Sequence, residues 1–218
     1  MKIVKPFADQ PLWEFYDVDI PDIDYSKYNF KTQAELSNLN VLAGDNFNKR
    51  MKVQGTSLRN ERDLTYEMLV SEIVKVLLEI KAQNQGKNGD GDNEVSRHDE
   101  NGNQFLLYCV DAWNIEKHCV PDLIIDKEGF FMGYHYDNRN IKANLFLNLE
   151  DNESSTEFII TNELTPSNFD DFVPTKKYYK GPTNKGSGYF YFNTNQLWHR
   201  IEVTEAERKI AMLGIVIQ

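Results

Sequence analysis

The longest sustained periodicity in the chain runs from Leu64 to Ala82, where Leu69, Ile73, Val76 and Ile80 recur at three- and four-residue spacing between the polar Glu72, Lys75, Glu79 and Lys81. That spacing gathers the apolar side chains on one stripe of an α-helix. Asp63 precedes it as a candidate N-cap. The pattern predicts one long helix over about 64–82, packed by its apolar stripe on a sheet. From Met1 to about Arg62, aromatics mix with Asp, Asn and Pro (Pro6, Pro11, Pro21) without a period, which predicts irregular segments with short helices or edge strands.

From Gln83 to Gln104 the sequence is almost wholly polar. Its Asp, Asn and Gly invite a calcium-loop reading. With the register started at Asn88, however, Asn93 stands where the invariant glycine belongs, and Asp99 where a bidentate glutamate belongs. A flexible surface loop over about 83–104 is therefore expected. From Phe105 onward short apolar or alternating runs are separated by turn residues: Phe105–Trp113, Leu123–Asp126, Gly129–His135, Lys142–Leu149, Thr156–Thr161, Gly188–Thr194, His199–Thr204 and Arg208–Ile217. Eight such runs fit a double-sheet jelly roll. The expected fold is α+β but mainly β: a double-stranded β-helix core over 105–218, supported by N-terminal helices in 1–104, in a single domain.

Alternation within the runs separates two faces. Ala143, Leu145, Leu147 and Leu149 share one, and Asn144, Phe146 and Asn148 share the other. On the last run Ala211, Leu213, Ile215 and Ile217 oppose Arg208, Ile210, Met212 and Gly214. The first set of each reads as core and the second as cavity lining. Arg208 is thereby placed inward, where a carboxylate partner is expected.

Composition narrows the function classes. The 218 residues carry a formal charge of −10, which disfavours a nucleic-acid groove built on phosphate neutralisation, and no run reaches transmembrane length. The opening MKIVKPFADQPLWEF lacks the apolar core of a secretory signal, and Cys109 and Cys119 have no CxxC spacing. A cytoplasmic protein with reduced thiols is the expectation, with no membrane partner and nucleic acid disfavoured.

The chemistry-bearing pattern is His135-Tyr136-Asp137, then His199, then Arg208 nine residues further on. Two imidazoles and one carboxylate form the facial set that holds ferrous iron with positions left open. His135 and Asp137, one residue apart, project to the same side of an extended strand. Taken singly, each residue has an ordinary reading: His135 as a turn residue, His199 as a core or surface histidine, Arg208 paired with Glu205 or Glu207. Their order, and their placement on predicted strands, favours a site.

The segments GYHYDNRNIKANLFLNLE, STEFII, GYFYFNTNQLWHRIE and ERKIAMLGIVI resemble the 2-oxoglutarate- and Fe(II)-dependent dioxygenases, most closely the prolyl-4-hydroxylase-like branch, over roughly 105–218. The resemblance implies iron bound by His135, Asp137 and His199, with Arg208 clamping the far carboxylate of 2-oxoglutarate. It also implies O₂ as the other co-substrate and hydroxylation of a C–H bond, with prolyl in a protein, a peptide or a free amino acid as the substrate class. Phe146 stands where many prolyl hydroxylases carry a tyrosine that meets the co-substrate. Asn144 and Tyr191 are the candidates for that hydrogen bond. Tyr136, Arg139 and Trp198 flank the ligands as candidate substrate contacts, and Glu163–Ser187 is a candidate lid. Two alternatives stay open: a non-enzymatic jelly-roll binding module, and a nucleobase demethylase with Lys176, Lys177, Lys180 and Lys185 as its basic strip.

Overall fold

A computed structural model of the chain describes residues 1–7, 12–37, 45–84, 119–135, 141–160, 177–193 and 197–216. Four short strands come first: β1 (Lys2–Val4), β2 (Leu12–Tyr16), β3 (Lys31–Thr32) and β4 (Arg50–Val53). Helices α1 (Gln33–Ser37), α2 (Gly55–Asn60) and α3 (Leu64–Asn84) accompany them. The rest is β5 (Asp122–Asp126), β6 (Phe131–His135), β7 (Ile141–Asn148), β8 (Thr156–Ile160), β9 (Lys177–Lys180), β10 (Gly188–Phe192), β11 (Leu197–Glu202) and β12 (Arg208–Val216).

These strands make two antiparallel sheets, one ordered β1-β2-β10-β7-β12-β5-β4-β3 and the other β6-β11-β8-β9. The last eight strands divide four and four, β5, β7, β10 and β12 in the larger sheet and β6, β8, β9 and β11 in the smaller, as a jelly roll requires, so the predicted β core is present. The N-terminal strands extend the larger sheet on both sides, which the aperiodic sequence of 1–62 allowed only as edge strands. The run Phe105–Trp113 lies outside the described residues.

Helix α3 begins as its sequence predicts, with the Asp63 carboxylate accepting from the Tyr66 backbone N–H at 2.7 Å. Its stripe of Tyr66, Leu69, Ile73, Val76, Leu77 and Ile80 is buried in one cluster with Leu145, Leu147, Leu213 and Ile215 of the larger sheet. Burying that stripe removes apolar surface from water and fixes the helix on the sheet's outer face. The inner faces meet through Leu12, Phe158, Ile160, Tyr189, Tyr191 and Leu197, and at one end through Phe130, Ile201 and Val203.

The candidate lid divides. Lys177–Lys180 form β9, paired with β8 in the register Phe158↔Tyr179, so this part belongs to the smaller sheet. The chain from Gly181 to Ser187 is tied to β7, with Asn148 Nδ2 donating to the Pro182 carbonyl at 2.8 Å. Residues 161–176 lie outside the described set.

Candidate active site

Between the sheets is a cavity of about 90 Å³ lined by Arg50, Met132, His135, Asn144, Phe146, Thr156, Tyr189, His199, Ile201, Arg208 and Met212. The alternation in β7 and β12 places Asn144, Phe146, Arg208 and Met212 here, on the faces opposite the helix-covered core. Chemically the cavity has two ends.

At one end, β6 and β11 bring His135 and His199 directly opposite each other, ring centroids 4.2 Å apart. A register shift between His199 and Ile201, where Ile201 faces Met132, marks an irregularity beside them. The His135 Nδ1 lies 2.7 Å from the Gly133 carbonyl, an acceptor only, so Nδ1 is the donor of that bond. His199, 6% exposed, has its Nε2 3.2 Å from the Tyr191 hydroxyl. Asn144 Nδ2 donates to that hydroxyl at 3.3 Å. Two imidazoles meeting across one strand pair could hold a metal. Among the described residues no third His, Cys, Asp or Glu completes a ligand set with them. Asp137, two positions beyond His135, lies outside the described residues, as do Tyr136 and Arg139.

At the other end three charged side chains stand in register across β4, β5 and β12: Arg50↔Asp126↔Arg208. Their exposures are 9%, 0% and 2%, so the trio holds a buried excess of one positive charge. Arg50 grips Asp126 with two parallel bonds, Nε to Oδ1 at 2.6 Å and an η-nitrogen to Oδ2 at 2.9 Å. Arg208 reaches Asp126 only at 3.6 Å. One Arg208 η-nitrogen donates to the Thr156 hydroxyl at 3.0 Å and to the Tyr189 hydroxyl at 3.1 Å. Its Nε is buried and makes no hydrogen bond among the described residues. Burial pushes the Tyr189 phenol up, keeping it a neutral acceptor for the guanidinium. A buried cation with a donor to spare calls for an anionic guest.

Tyr189 sits opposite Phe146 in the β10–β7 register, and its hydroxyl meets Arg208. Tyr191 and Asn144, the candidates read from the sequence, face each other one step along and serve the His199 end. Phe146 stacks beside both tyrosines, at 5.1 and 6.2 Å between centroids. Trp198 alternates with His199 on β11, is buried on the opposite face and does not line the cavity. Arg50, Asp126, Thr156 and Tyr189 were not singled out from the sequence. Asp126 had a signal: it closes the buried run LIID in the same alternation phase as Ile124.

No known family profile and no curated protein matches the sequence. Among solved structures, the chain aligns with an oxidoreductase of the 2OG-Fe(II) oxygenase family from Burkholderia pseudomallei at 14% identity and TM-score 0.32, covering 43% of this chain and 40% of that one. A Pseudomonas putida prolyl-4-hydroxylase aligns at 11% identity and TM-score 0.34, over 52% of this chain and 63% of that one. The non-haem α-ketoglutarate-dependent epimerase SnoN of nogalamycin biosynthesis aligns at 12% identity and TM-score 0.47, over 94% and 77%. The alignments thus span less than two thirds of the first two proteins. Likenesses at this level assign no activity to the chain, which rests on its own cavity.

Proposed function

We propose that the chain is a 2-oxoglutarate- and Fe(II)-dependent dioxygenase that hydroxylates a C–H bond. The observation that carries this reading is the polarity of one cavity: a cross-strand imidazole pair at one end and a buried cation excess at the other. The residues fit these groups, since two imidazoles meet across β6 and β11 and Arg208 keeps a donor for a carboxylate. In this reading His135, Asp137 and His199 hold the iron, while Arg208, Thr156 and Tyr189 hold the distal carboxylate of 2-oxoglutarate. When bound, iron and co-substrate supply the oxidising chemistry, in which O₂ is consumed, 2-oxoglutarate leaves as succinate and CO₂, and one oxygen atom enters the substrate.

The protein's own contribution is placement and dryness. Charge-assisted bonds from a rigid guanidinium fix the carboxylate in position and orientation. Met132, Phe146, Ile201 and Met212 give the cavity an apolar lining, which disfavours water beside the reacting groups. The Tyr191 hydroxyl, itself bonded by Asn144, holds the His199 imidazole through Nε2. A prolyl residue in a protein or peptide, or free proline, is the proposed substrate class, on the sequence resemblance alone. A reducing compartment such as the cytoplasm suits a ferrous site and the buried thiol of Cys119. No helix among the described residues is long and apolar enough to cross a membrane. In the lysine strip Lys180 pairs with Glu157 at 3.3 Å and Lys185 with Asp22 at 3.8 Å, which weakens a nucleic-acid reading.

The test is anaerobic addition of Fe(II) and 2-oxoglutarate with the visible charge-transfer band as readout. A band in the wild type that is lost in His199→Ala is expected. No band from folded protein, or a band that persists in the variant, overturns the proposal. A second reading is favoured by the completeness of the cationic end: a jelly-roll module that binds a small carboxylate without metal. It predicts that His135→Ala leaves carboxylate binding intact.

A further inference from the structure

Arg50 comes from a strand outside the jelly-roll core, 76 residues before Asp126, yet it reaches the cationic end of the cavity. Two guanidiniums flank one fully buried carboxylate there, and they do not share it equally. Arg50 makes a two-bond fork at 2.6 and 2.9 Å, whereas Arg208 stands off at 3.6 Å. A second anchor fixes Arg50 in this role, because its guanidinium lies over the Phe130 ring, 4.3 Å from the centroid. Asp126 has no solvent contact to weaken its pull on whichever cation is nearest. With both carboxylate oxygens engaged by Arg50, Arg208 makes its hydrogen bonds to Thr156 and Tyr189, feels Asp126 only across 3.6 Å, and keeps its buried Nε.

We propose that Arg50 is a positioning residue: by occupying Asp126 it prevents that carboxylate from claiming Arg208, and so keeps Arg208 available to a guest dicarboxylate. This inference rests on the carboxylate-site reading above. Without Arg50, Asp126 closes the 3.6 Å gap, draws Arg208 off the Thr156 and Tyr189 hydroxyls, and competes with the guest for the same donors. Asp126 is then an internal inhibitor that Arg50 neutralises. The residues act in sequence, so removing both should undo the effect of removing one.

The experiment is calorimetric titration of 2-oxoglutarate and succinate into Arg50→Gln, Asp126→Asn, the double variant and wild type, each with and without Fe(II) under argon. In Arg50→Gln the dissociation constant rises about tenfold or more, the worth of one hydrogen bond to a charged group. In Arg50→Gln/Asp126→Asn it returns to within about threefold of wild type, since the competing carboxylate is gone with its partner. A double variant as weak as Arg50→Gln overturns the proposal in favour of direct contact between Arg50 and the guest. Unchanged affinity in Arg50→Gln overturns it in favour of a purely structural role. If Arg50→Gln does not fold, Arg50→Lys, which keeps the charge and loses the fork, is compared with Arg50→Lys/Asp126→Asn by the same criteria. The two readings fail separately. Dicarboxylate binding that gains nothing from Fe(II) sinks the dioxygenase and leaves the Arg50 comparison readable, and a wild type that binds no dicarboxylate sinks both.

Discussion

Replacing Arg208 with methionine should leave the ligand-free protein about as stable as wild type while abolishing carboxylate binding, and replacing Asp126 with asparagine should do the opposite to stability. At 3.6 Å the attraction between Arg208 and Asp126 is about 4–5 kcal/mol for an effective dielectric near 20. Two bonds to neutral hydroxyls add to it. Against these stand a desolvation penalty of several kcal/mol for the buried cation and its repulsion by Arg50. The terms cancel to within about 2 kcal/mol, and methionine is close to arginine in side-chain volume. Loss of Asp126 instead leaves two buried guanidiniums with no anion, a change that costs about 3–5 kcal/mol. Urea unfolding at pH 7, followed by tryptophan fluorescence, measures both. Succinate at millimolar concentration should raise the midpoint of wild type and of Asp126→Asn and leave Arg208→Met unmoved. An Arg208→Met variant destabilised as much as Asp126→Asn, or an Asp126→Asn variant within about 1 kcal/mol of wild type, refutes the charge accounting.

Three further outcomes are expected. Burial raises the Glu14 carboxyl, so its contribution is present below the unfolded value and lost as pH rises through the folded one; Glu14→Gln should raise the melting temperature at pH 7 and not at pH 3.5. A Cβ on Gly188 would stand 2.0 Å from the Phe146 carbonyl and 2.5 Å from the Phe15 ring, so Gly188→Ala should cost about 3 kcal/mol or more in urea unfolding. Burial pushes the Cys119 thiol up to about 12, so in a Cys109→Ser background alkylation at pH 8 should require denaturant.

The sequence made legible what depends on local period. Helix α3 and its buried stripe, the two faces of β7 and the inward turn of Arg208 all follow from spacing, and the structure has them as read. What escaped depends on register between distant strands. Nothing local in Arg50-Met51-Lys52-Val53 says that its first residue will stand beside Asp126, because only pairing of β4 with β5 brings them together. Tyr189 and Tyr191 share a face in Gly188-Tyr189-Phe190-Tyr191-Phe192, so alternation offers both. Only the pairing of Tyr189 with Phe146 decides which hydroxyl reaches Arg208. Strand β9 was hidden because Lys177-Tyr178-Tyr179-Lys180 is too short and too charged at its ends to stand out from its surroundings.

The position of β6 gives the two histidines unequal backbones. Strand β11 is flanked by β6 and β8, while β6, at the margin of its sheet, pairs among the described residues with β11 alone, through an interrupted register. Margins open locally at lower free energy than sheet centres, so the amides of 131–135 should exchange with solvent sooner than those of 197–202. A metal joining His135 to His199 would stitch that margin to the interior. Metal occupancy at the histidine pair should then be written in deuterium uptake along β6, while the ladder between Arg208 and Asp126 exchanges at its own pace.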